Sequence, residues 1–417
     1  MNRQIPADKT PVGRDSVTLD VAHDIQVALL TGGADPQYAY GLATSLMSKG
    51  STLEIVGSDE LNCPEFHEQA AVTFLNLRGD QRPTSLFTKV SRVAQYYVRL
   101  IRYAAVAKPR IFHILWNNKF QFFDRTLLML YYKALLRKIV FTAHNVNAGI
   151  RDGNDSLLNR MTLRIQYRLA DHIFVHTERM KRELIEMFGA DERRVSVIPY
   201  GINNAVPITS VTVSEAKRRL GIREGEKTLL FFGWIAPYKG VEYLVAALRN
   251  LLARQENYRL VIAGRPKDCE EYWNGIREDI RGEVDGGRIL LRAEFIPDKE
   301  TEVYFKAADV LVLPYRHIYQ SGILFLGYSF GLPALAADVG SLKDDIVEGR
   351  TGFIFRPEDP ADLAKAIERY FASDLYADLN NRRQQIRDYA TEGHSWDVVG
   401  RMTMDVYAGL LRIPSPK

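Results

Sequence analysis

Residues 307–340, AADVLVLPYRHIYQSGILFLGYSFGLPALAADVG, decide the fold. The run AADVLVLP is rich in Val and Leu and predicts a buried parallel strand, and LPALAAD predicts the next one. Between them, Ser321 is placed to cap a short helix whose first turn contains Gly322. Unpaired N–H groups of that turn would face the crevice at the carboxyl end of a strand, where α/β sheets bind phosphates. The alternative is a capped loop followed by a buried helix, since one Ser-Gly pair is a weak signal.

Short apolar runs alternate with helical patterns along the chain, which indicates parallel sheets. Strands are predicted at IQVALLT, LEIVG, RIFHILW, KIVFTAH, HIFVHT and VSVIPYGI in the first half, and at TLLFFGW, YRLVIAG, RILLRAEF, ADVLVLP, LPALAAD and GFIF in the second. We therefore predict an α/β protein with two Rossmann-like domains whose sheets face a central cleft. The predicted divisions are a flexible N-terminal extension (1–24), a first domain (25–206), a second domain (207–394) and a C-terminal helix (395–417).

Length and composition agree with two domains of an ordinary globular protein. The chain has 417 residues, of which 46% are apolar and 25% charged, and about 150 residues is usual for one domain. Cys63 and Cys269 are far apart and fit no metal-ligand spacing, so a reducing cytoplasm is expected. The N-terminus lacks the apolar core of a signal peptide, and the longest apolar run, LLMLYY, is too short to span a bilayer.

Two features of the first half are candidates for ligand binding. Gly32 and Gly33 follow the first strand, where a glycine pair serves a tight turn or lets a ligand approach the backbone. Gly-x-Gly-x-x-Gly is absent, which disfavours a dinucleotide cofactor. His144 stands at the carboxyl end of a strand in TAHNV, so it is a candidate donor to a substrate hydroxyl or a developing charge. The alternative for His144 is a structural hydrogen bond.

The second half carries a candidate diphosphate site. Lys239, in GWIAPYKGVEYL, lies between a strand and a helix and would neutralise a diphosphate as a point charge. The amides near Ser321 and Gly322 lie at another strand end of the same half, and a diphosphate needs both positive charge and backbone donors. The alternative is a solvated lysine. Neither His-Glu-x-x-His nor Asp-x-Asp is present, so no metal and no cofactor are expected.

A basic segment, residues 82–138, carries twelve Lys and Arg residues against one acid, Asp124, although the net charge of the chain is only +4. Its aromatic and aliphatic residues suit a helix on an anionic membrane face, and a solvated helix face is the equal alternative. No nucleic-acid module is visible, so nucleic acid is not an expected partner. The expected location is cytoplasmic, and peripheral on the inner face of the plasma membrane if the basic segment binds lipid.

Taken together, the motifs resemble those of family 4 (group 1) retaining glycosyltransferases, which have the GT-B fold. FFGWIAPYKG, AADVLVLPY, IYQSGILFL and GLPALAADVGS match the donor-binding domain of that family, and TAHNV and VIPYGI match the acceptor domain more loosely. The tail, HSWDVVGRM, is similar to the terminal helix that crosses back to the first domain. The resemblance implies that Lys239 binds phosphate, that His144 lies near the donor sugar and that Gly33 lies beside the diphosphate.

The departures from the family pattern define a subgroup. Trp234 replaces the arginine that accompanies the lysine, and Ile318 and Leu326 occupy the positions of the Glu-x7-Glu pair. The resemblance to bacterial polysaccharide-type transferases without that pair implies that the donor also meets the loop of four residues after Ile318, together with Ile323. That loop consists of Tyr319, Gln320, Ser321 and Gly322. Retention of anomeric configuration is left open.

The resemblance implies a metal-independent hexosyltransferase that moves a sugar from a UDP- or GDP-sugar to a hydroxyl of a glycan or polyprenyl-linked acceptor in bacterial exopolysaccharide or surface-glycan synthesis. Two alternatives stay open. One is a nucleotide-sugar 2-epimerase or phosphorylase of the same fold. The other is a non-catalytic nucleotide-binding scaffold, which the loss of both glutamates would permit.

Overall fold

The computed structural model describes most of the chain, in residues 25–33, 35–82, 85–151, 153, 155–202, 206–254, 257–267 and 269–412. The extension predicted for residues 1–24 lies outside the described residues, as do the last five positions of the predicted C-terminal helix.

Thirteen strands in the described residues form two sheets in which every pairing is parallel. The strands of the first sheet are β1 (Gln26–Leu30), β2 (Thr52–Gly57), β3 (Val72–Asn76), β4 (Ile111–Ile114), β5 (Lys138–Thr142), β6 (His172–Val175) and β7 (Val195–Val197). Those of the second are β8 (Lys227–Phe232), β9 (Tyr258–Ala263), β10 (Ile289–Arg292), β11 (Val310–Leu313), β12 (Ala334–Ala337) and β13 (Gly352–Phe355).

Helices connect the strands and cover the sheets. In the first half they are α1 (Pro36–Ser48), α2 (Pro64–Glu68), α3 (Leu86–Val106), α4 (Gln121–Arg125), α5 (Leu127–Ala134), α6 (Ala148–Arg151), α7 (Leu157–Leu169) and α8 (Glu178–Phe188). In the second they are α9 (Val213–Arg219), α10 (Val241–Leu252), α11 (Glu270–Asp279), α12 (Arg281–Asp285), α13 (Asp298–Ala307), α14 (Gly322–Ser329), α15 (Leu342–Asp345), α16 (Pro360–Phe371), α17 (Asp374–Ala377), α18 (Leu379–His394) and α19 (Trp396–Arg412). Short 3-10 helices span Asp59–Leu61, Glu192–Arg194 and Pro237–Lys239.

The two sheets share one topology. Their strand orders are β3-β2-β1-β4-β5-β6-β7 and β10-β9-β8-β11-β12-β13, so the order reverses between β1 and β4 and again between β8 and β11. Ligands of open α/β sheets bind at such reversals, outside the carboxyl ends of the strands. Gly32 and Gly33 follow β1, and Lys239 and Ser321 follow β8 and β11, so these candidates lie beside a reversal. His144 follows β5, the neighbour of β4.

Burial explains why most strands are visible in the sequence. All four residues of β11, and all four of β12, are buried, as expected for strands covered on both faces by helices. This confirms the predicted α/β class with two Rossmann-like sheets. The strand β3, which we did not predict, lies at the edge of the first sheet and has no fully buried residue.

The C-terminal helix crosses back to the first domain, as predicted. The helix α19 packs on α1, and the Ser45 hydroxyl donates to the carbonyl oxygen of Trp396 at 2.5 Å. The indole of Trp396 lies against Gly41 and Gly201, where an added Cβ would collide with the ring. These glycines therefore let the last helix close onto the cleft.

Candidate active site

A cavity of about 380 Å³ lies between the carboxyl edges of the two sheets. We call it the cleft. It brings together six of the residues selected from the sequence, although they come from separate strand ends: His144, Lys239, Gln320, Ser321, Gly322 and Ile323.

Lys239 reaches the cleft from a short turn with a constrained backbone. The 3-10 helix Pro237–Lys239 begins with proline and ends at Gly240, whose φ of 64° favours glycine. A Cβ at Gly240 would collide with the carbonyl oxygen of Pro314. The lysine is only 6% exposed, and its Nζ lies 3.8 Å from the ring centroid of Tyr315. The turn therefore holds a buried cation close to the start of the loop that follows β11.

The helix α14 begins at Gly322, and Ser321 is its N-cap residue, but the predicted side-chain cap is wrong. The Ser321 side chain makes no bond to the first turn and instead lies 3.3 Å from the hydroxyl of Tyr315. The N–H of Leu324 donates to the carbonyl oxygen of Ser321 at 3.1 Å. Because the first N–H groups of a helix lack intrahelical acceptors, those of Gly322 and Ile323 are placed to meet an anion in the cleft. The dipole of the helix favours negative charge at the same place.

The imidazole of His144 is fixed on three sides. It stacks on Trp116 with ring centroids 4.0 Å apart, and the ring of Tyr38 meets it edge-on at 4.6 Å. Its Nδ1 lies 2.9 Å from Nε2 of His176, whose own Nδ1 lies 3.2 Å from the carbonyl oxygen of Ile198. A carbonyl only accepts, so neutral His176 donates from Nδ1 and accepts at Nε2.

This chain of bonds sets the tautomer of His144. Its Nδ1 must donate to His176, which leaves Nε2 as an acceptor, and no described residue bonds to that atom. Burial and the neighbouring His176 hold the pKa of His144 well below its usual value, so the ring is neutral at pH 7. In this tautomer the neutral ring presents a lone pair at Nε2 to a hydroxyl, whereas the sequence predicts a donor.

Nitrogen-15 NMR of labelled full-length protein would test this tautomer. We expect Nε2 of His144 to show the chemical shift of an unprotonated ring nitrogen at pH 7. In His176→Phe, which removes the acceptor of the Nδ1 proton, we expect both nitrogens to move toward the average of the two tautomers. A protonated Nε2 in the wild type would contradict the assignment.

The structure adds cleft residues that we did not select from the sequence, among them Asp35, Tyr38 and Tyr200. Asp35 is the one carboxylate among the described residues that line the cleft, and its φ of 41° is uncommon for a non-glycine residue. Its Oδ1 accepts from the backbone N–H of Tyr38 at 3.0 Å, and Oδ2 accepts from the hydroxyl of Tyr200 at 2.6 Å. Ile318 and Leu326 also line the cleft.

One further polar atom of the cleft lining lacks a partner within the described part of the chain, namely Oε1 of Gln320, which is buried. Buried polar groups are usually hydrogen-bonded. With Nε2 of His144, it forms a pair of acceptors suited to a polyhydroxylated ligand.

The remaining four predicted site residues do not line the cleft. Gly32 lines a small separate cavity, and Gly33 packs on the guanidinium group of Arg78. The ring of Trp234 lies under Arg265, whose Cζ is 4.4 Å from a ring centroid. The hydroxyl of Tyr319 donates to Glu183 at 2.8 Å, in the first half of the chain.

No group of three or more His, Cys, Asp or Glu side chains arranged to hold a metal ion occurs among the residues that the structure describes. Cys63 and Cys269 are free thiols.

Two facing Rossmann-like sheets with a cleft between them define the GT-B fold, and solved structures agree. Sucrose-phosphate synthase from Thermosynechococcus elongatus superposes with a TM-score of 0.73 at 18% identity, covering 93% of this chain and 99% of that one. Anabaena HepE in complex with UDP and glucose superposes with a TM-score of 0.71 at 14% identity, covering 92% of this chain and 100% of that one.

The sequence places the chain within this class. The model described as Glycosyltransferase Family 4 matches residues 35–206, and that described as Glycosyl transferases group 1 matches residues 226–373. The chain belongs to the group 1, family 4 glycosyltransferases, as the resemblance implied.

Two curated relatives illustrate the similarity. An uncharacterised glycosyltransferase of Methanocaldococcus jannaschii is 26% identical over 377 residues, which are 88% of this chain and 92% of that protein. D-inositol 3-phosphate glycosyltransferase of Geodermatophilus obscurus is 32% identical over 211 residues, or 49% of this chain and 46% of that protein. The match to the second therefore spans about half of each protein.

Proposed function

We propose that the protein transfers a hexose from a UDP- or GDP-sugar to a hydroxyl of a glycan or lipid-linked acceptor, without a metal ion. The observation that carries this proposal is the meeting, in one cleft, of buried Lys239 and the start of α14, opposite His144. A diphosphate leaving group needs positive charge and backbone donors, and both are present there.

The proposed reaction breaks the bond between the anomeric carbon and the diphosphate oxygen. The electron pair leaves with the diphosphate, whose new charge is stabilised by Lys239 and the amides of Gly322 and Ile323. The sugar hydroxyls bond to Nε2 of His144 and Oε1 of Gln320. The acceptor hydroxyl bonds the anomeric carbon and passes its proton to an oxygen of the departing diphosphate, while the enclosed cleft limits attack by water.

Similar proteins support the donor and acceptor classes. HepE was solved with UDP and glucose and also with UDP-glucose. D-inositol 3-phosphate glycosyltransferases are named for a hydroxylated, phosphorylated acceptor. WaaG, a glycosyltransferase involved in lipopolysaccharide biosynthesis, superposes with a TM-score of 0.63 at 16% identity.

The basic segment 82–138 supports a cytoplasmic enzyme that works on the inner face of the membrane, in surface-glycan synthesis. Several of its apolar side chains are exposed, including Phe87, Phe120, Leu127 and Leu136, and basic residues lie between them. Exposed apolar and cationic side chains together favour an anionic lipid surface. Among the described residues, no helix is long and apolar enough to cross a membrane.

A thermal-shift panel would test the donor proposal. UDP, GDP, dTDP, ADP and their sugars would be added to the wild type and to Lys239→Ala, with and without magnesium. A ligand at 100 times its Kd adds ~2.7 kcal/mol, which should raise the Tm by a few degrees. We expect UDP or GDP to stabilise the wild type without magnesium and Lys239→Ala much less. A wild type that responds to none of them would favour a non-catalytic scaffold.

A further inference from the structure

A second cavity, of about 360 Å³, lies in the first domain beyond the carboxyl ends of β3 and β4. One wall is a face of α3, on which positions 89, 92, 93, 96 and 97 recur at helical spacing. The opposite wall comes from the segments that follow β3 and β4. We call it the basic cavity, and its charged residues are Arg78, Asp80, Arg82, Lys89, Arg92 and Lys119.

Among the described residues that line the basic cavity, five cations face one carboxylate. The one carboxylate, Asp80, is bound by Arg82, whose Nε lies 2.8 Å from Oδ2. Within the described residues, neither Lys89 nor Lys119 has an ion-pair partner. Desolvation and the charges of Lys89 and Arg78 lower the pKa of Lys119. Crowded cations repel each other, so an anion in this cavity would relieve the repulsion.

Hydrogen bonds within the protein hold the side chains at the base of the basic cavity in place. Arg78 donates to the carbonyl oxygen of Gly32 and, at 3.0 Å, to Oδ1 of Asn118, and its guanidinium carbon lies 5.1 Å from the ring centroid of Tyr96. The hydroxyl of Tyr96 donates to the same Asn118 oxygen at 2.7 Å. Arg92 donates to the carbonyl oxygen of Asp80 at 3.0 Å. Guanidinium groups held in this way suit phosphate oxygens.

One loop separates the basic cavity from the cleft. An added Cβ at Gly33 would lie 2.5 Å from the guanidinium carbon of Arg78, and one at Gly32 would collide with the backbone of Trp116. Trp116 in turn lines the cleft and stacks on His144. A molecule lying across this loop would have one end among the cations and the other beside His144.

We propose that the basic cavity binds a phosphate or diphosphate group carried by the acceptor, whose reacting hydroxyl then lies across the Gly32 and Gly33 loop. The assignment of the anion to the acceptor rests on the proposed function, whereas the anion site itself does not. The anion comes either from a soluble phosphorylated acceptor or from a lipid-borne one. Exposed Phe87 and Val90, which flank Lys89 in sequence, suit the apolar part of a lipid.

The test is calorimetric titration of the full chain with inorganic pyrophosphate. The Lys239→Ala variant is the background, so that the donor site does not contribute. We expect one binding site in that background, weakened at least about tenfold by Lys89→Ala with Lys119→Ala, because charge-assisted bonds are lost. The matched control is Arg99→Ala with Arg102→Ala, which removes the same charge from exposed positions of α3 and should change Kd less than about twofold.

Equal weakening by the two double variants, or no binding in the Lys239→Ala background, would overturn the proposal. All four substituted side chains are exposed, and equal Tm values of the variants would exclude a folding defect. Vesicles containing phosphatidylglycerol identify the source of the anion: displacement of bound protein by pyrophosphate indicates a lipid-borne phosphate, and its absence indicates a soluble one. Since the donor panel reports on nucleotides at Lys239, the two proposals fail separately.

Discussion

Replacing Lys239 by alanine is expected to lower the turnover number about 100-fold or more, by analogy with removal of one preorganised donor to a developing charge. The lysine is buried in a turn constrained by Pro237 and Gly240. Its charge therefore lies in an environment of low dielectric constant, and its side chain needs little rearrangement during the reaction. Because the charge on the diphosphate grows as the sugar leaves, we expect kcat to fall more than KM rises. Steady-state release of nucleotide, with the donor identified by the thermal-shift panel, measures both.

The control for this variant is Lys365→Ala, an exposed lysine of the same half on α16. We expect its turnover within about twofold of the wild type, since single exposed charges contribute little. If Lys239→Ala kept the wild-type rate, the diphosphate would bind elsewhere. A second variant, Lys239→Arg, separates charge from shape: the planar guanidinium keeps the charge but does not fit the place of a compact ammonium beside Tyr315.

The architecture could be predicted from the sequence because parallel strands covered on both faces form continuous apolar runs. VLVL at 310–313 is fully buried and is plain in the sequence. VTFLN at 72–76 is one residue longer but lies at a sheet edge and is only partly buried, so its mixed pattern did not separate it from a loop. Edge position is a property of the assembled sheet, and it leaves a weak local signal.

The site could be predicted only in part, for a similar reason. Lys239 and Gly322 each follow a strand and are placed by local rules about strand ends. Asp35 lies in the cleft because Tyr200, 165 positions later, bonds to its carboxylate, and such a pairing has no local signature. The proton on His144 likewise depends on His176, 32 positions away. The local sequence pattern was therefore enough to select His144, but whether its ring donates or accepts a hydrogen bond could be read only from the folded structure.

The stability of the protein is expected to fall by about 2–4 kcal/mol between pH 7 and pH 5, because buried imidazoles must stay neutral in the folded state. Burial lowers the pKa of His113 to about 3 and those of His172 and His176 to about 4. Below pH ~6.5 the unfolded chain binds a proton at each of them and the folded chain does not. Stability contributed by these groups is therefore lost as the pH falls through 6.5 toward 4.

Two buried carboxyl groups oppose this loss of stability, and replacing one of them provides a control for the prediction. Burial raises the pKa of Asp124 to about 6 and that of Asp345 to about 7, so the folded state binds protons there that the unfolded state releases. Their contribution is full at low pH and is lost as the pH rises through 6 and 7. The folded state of Asp345→Asn no longer binds this proton. Between pH 6 and 5 its free energy of unfolding should therefore fall more steeply than that of the wild type, by ~1.4 kcal/mol per pH unit. Urea titrations at each pH measure both slopes, and a wild type whose stability rises on acidification would show that the carboxyls outweigh the imidazoles.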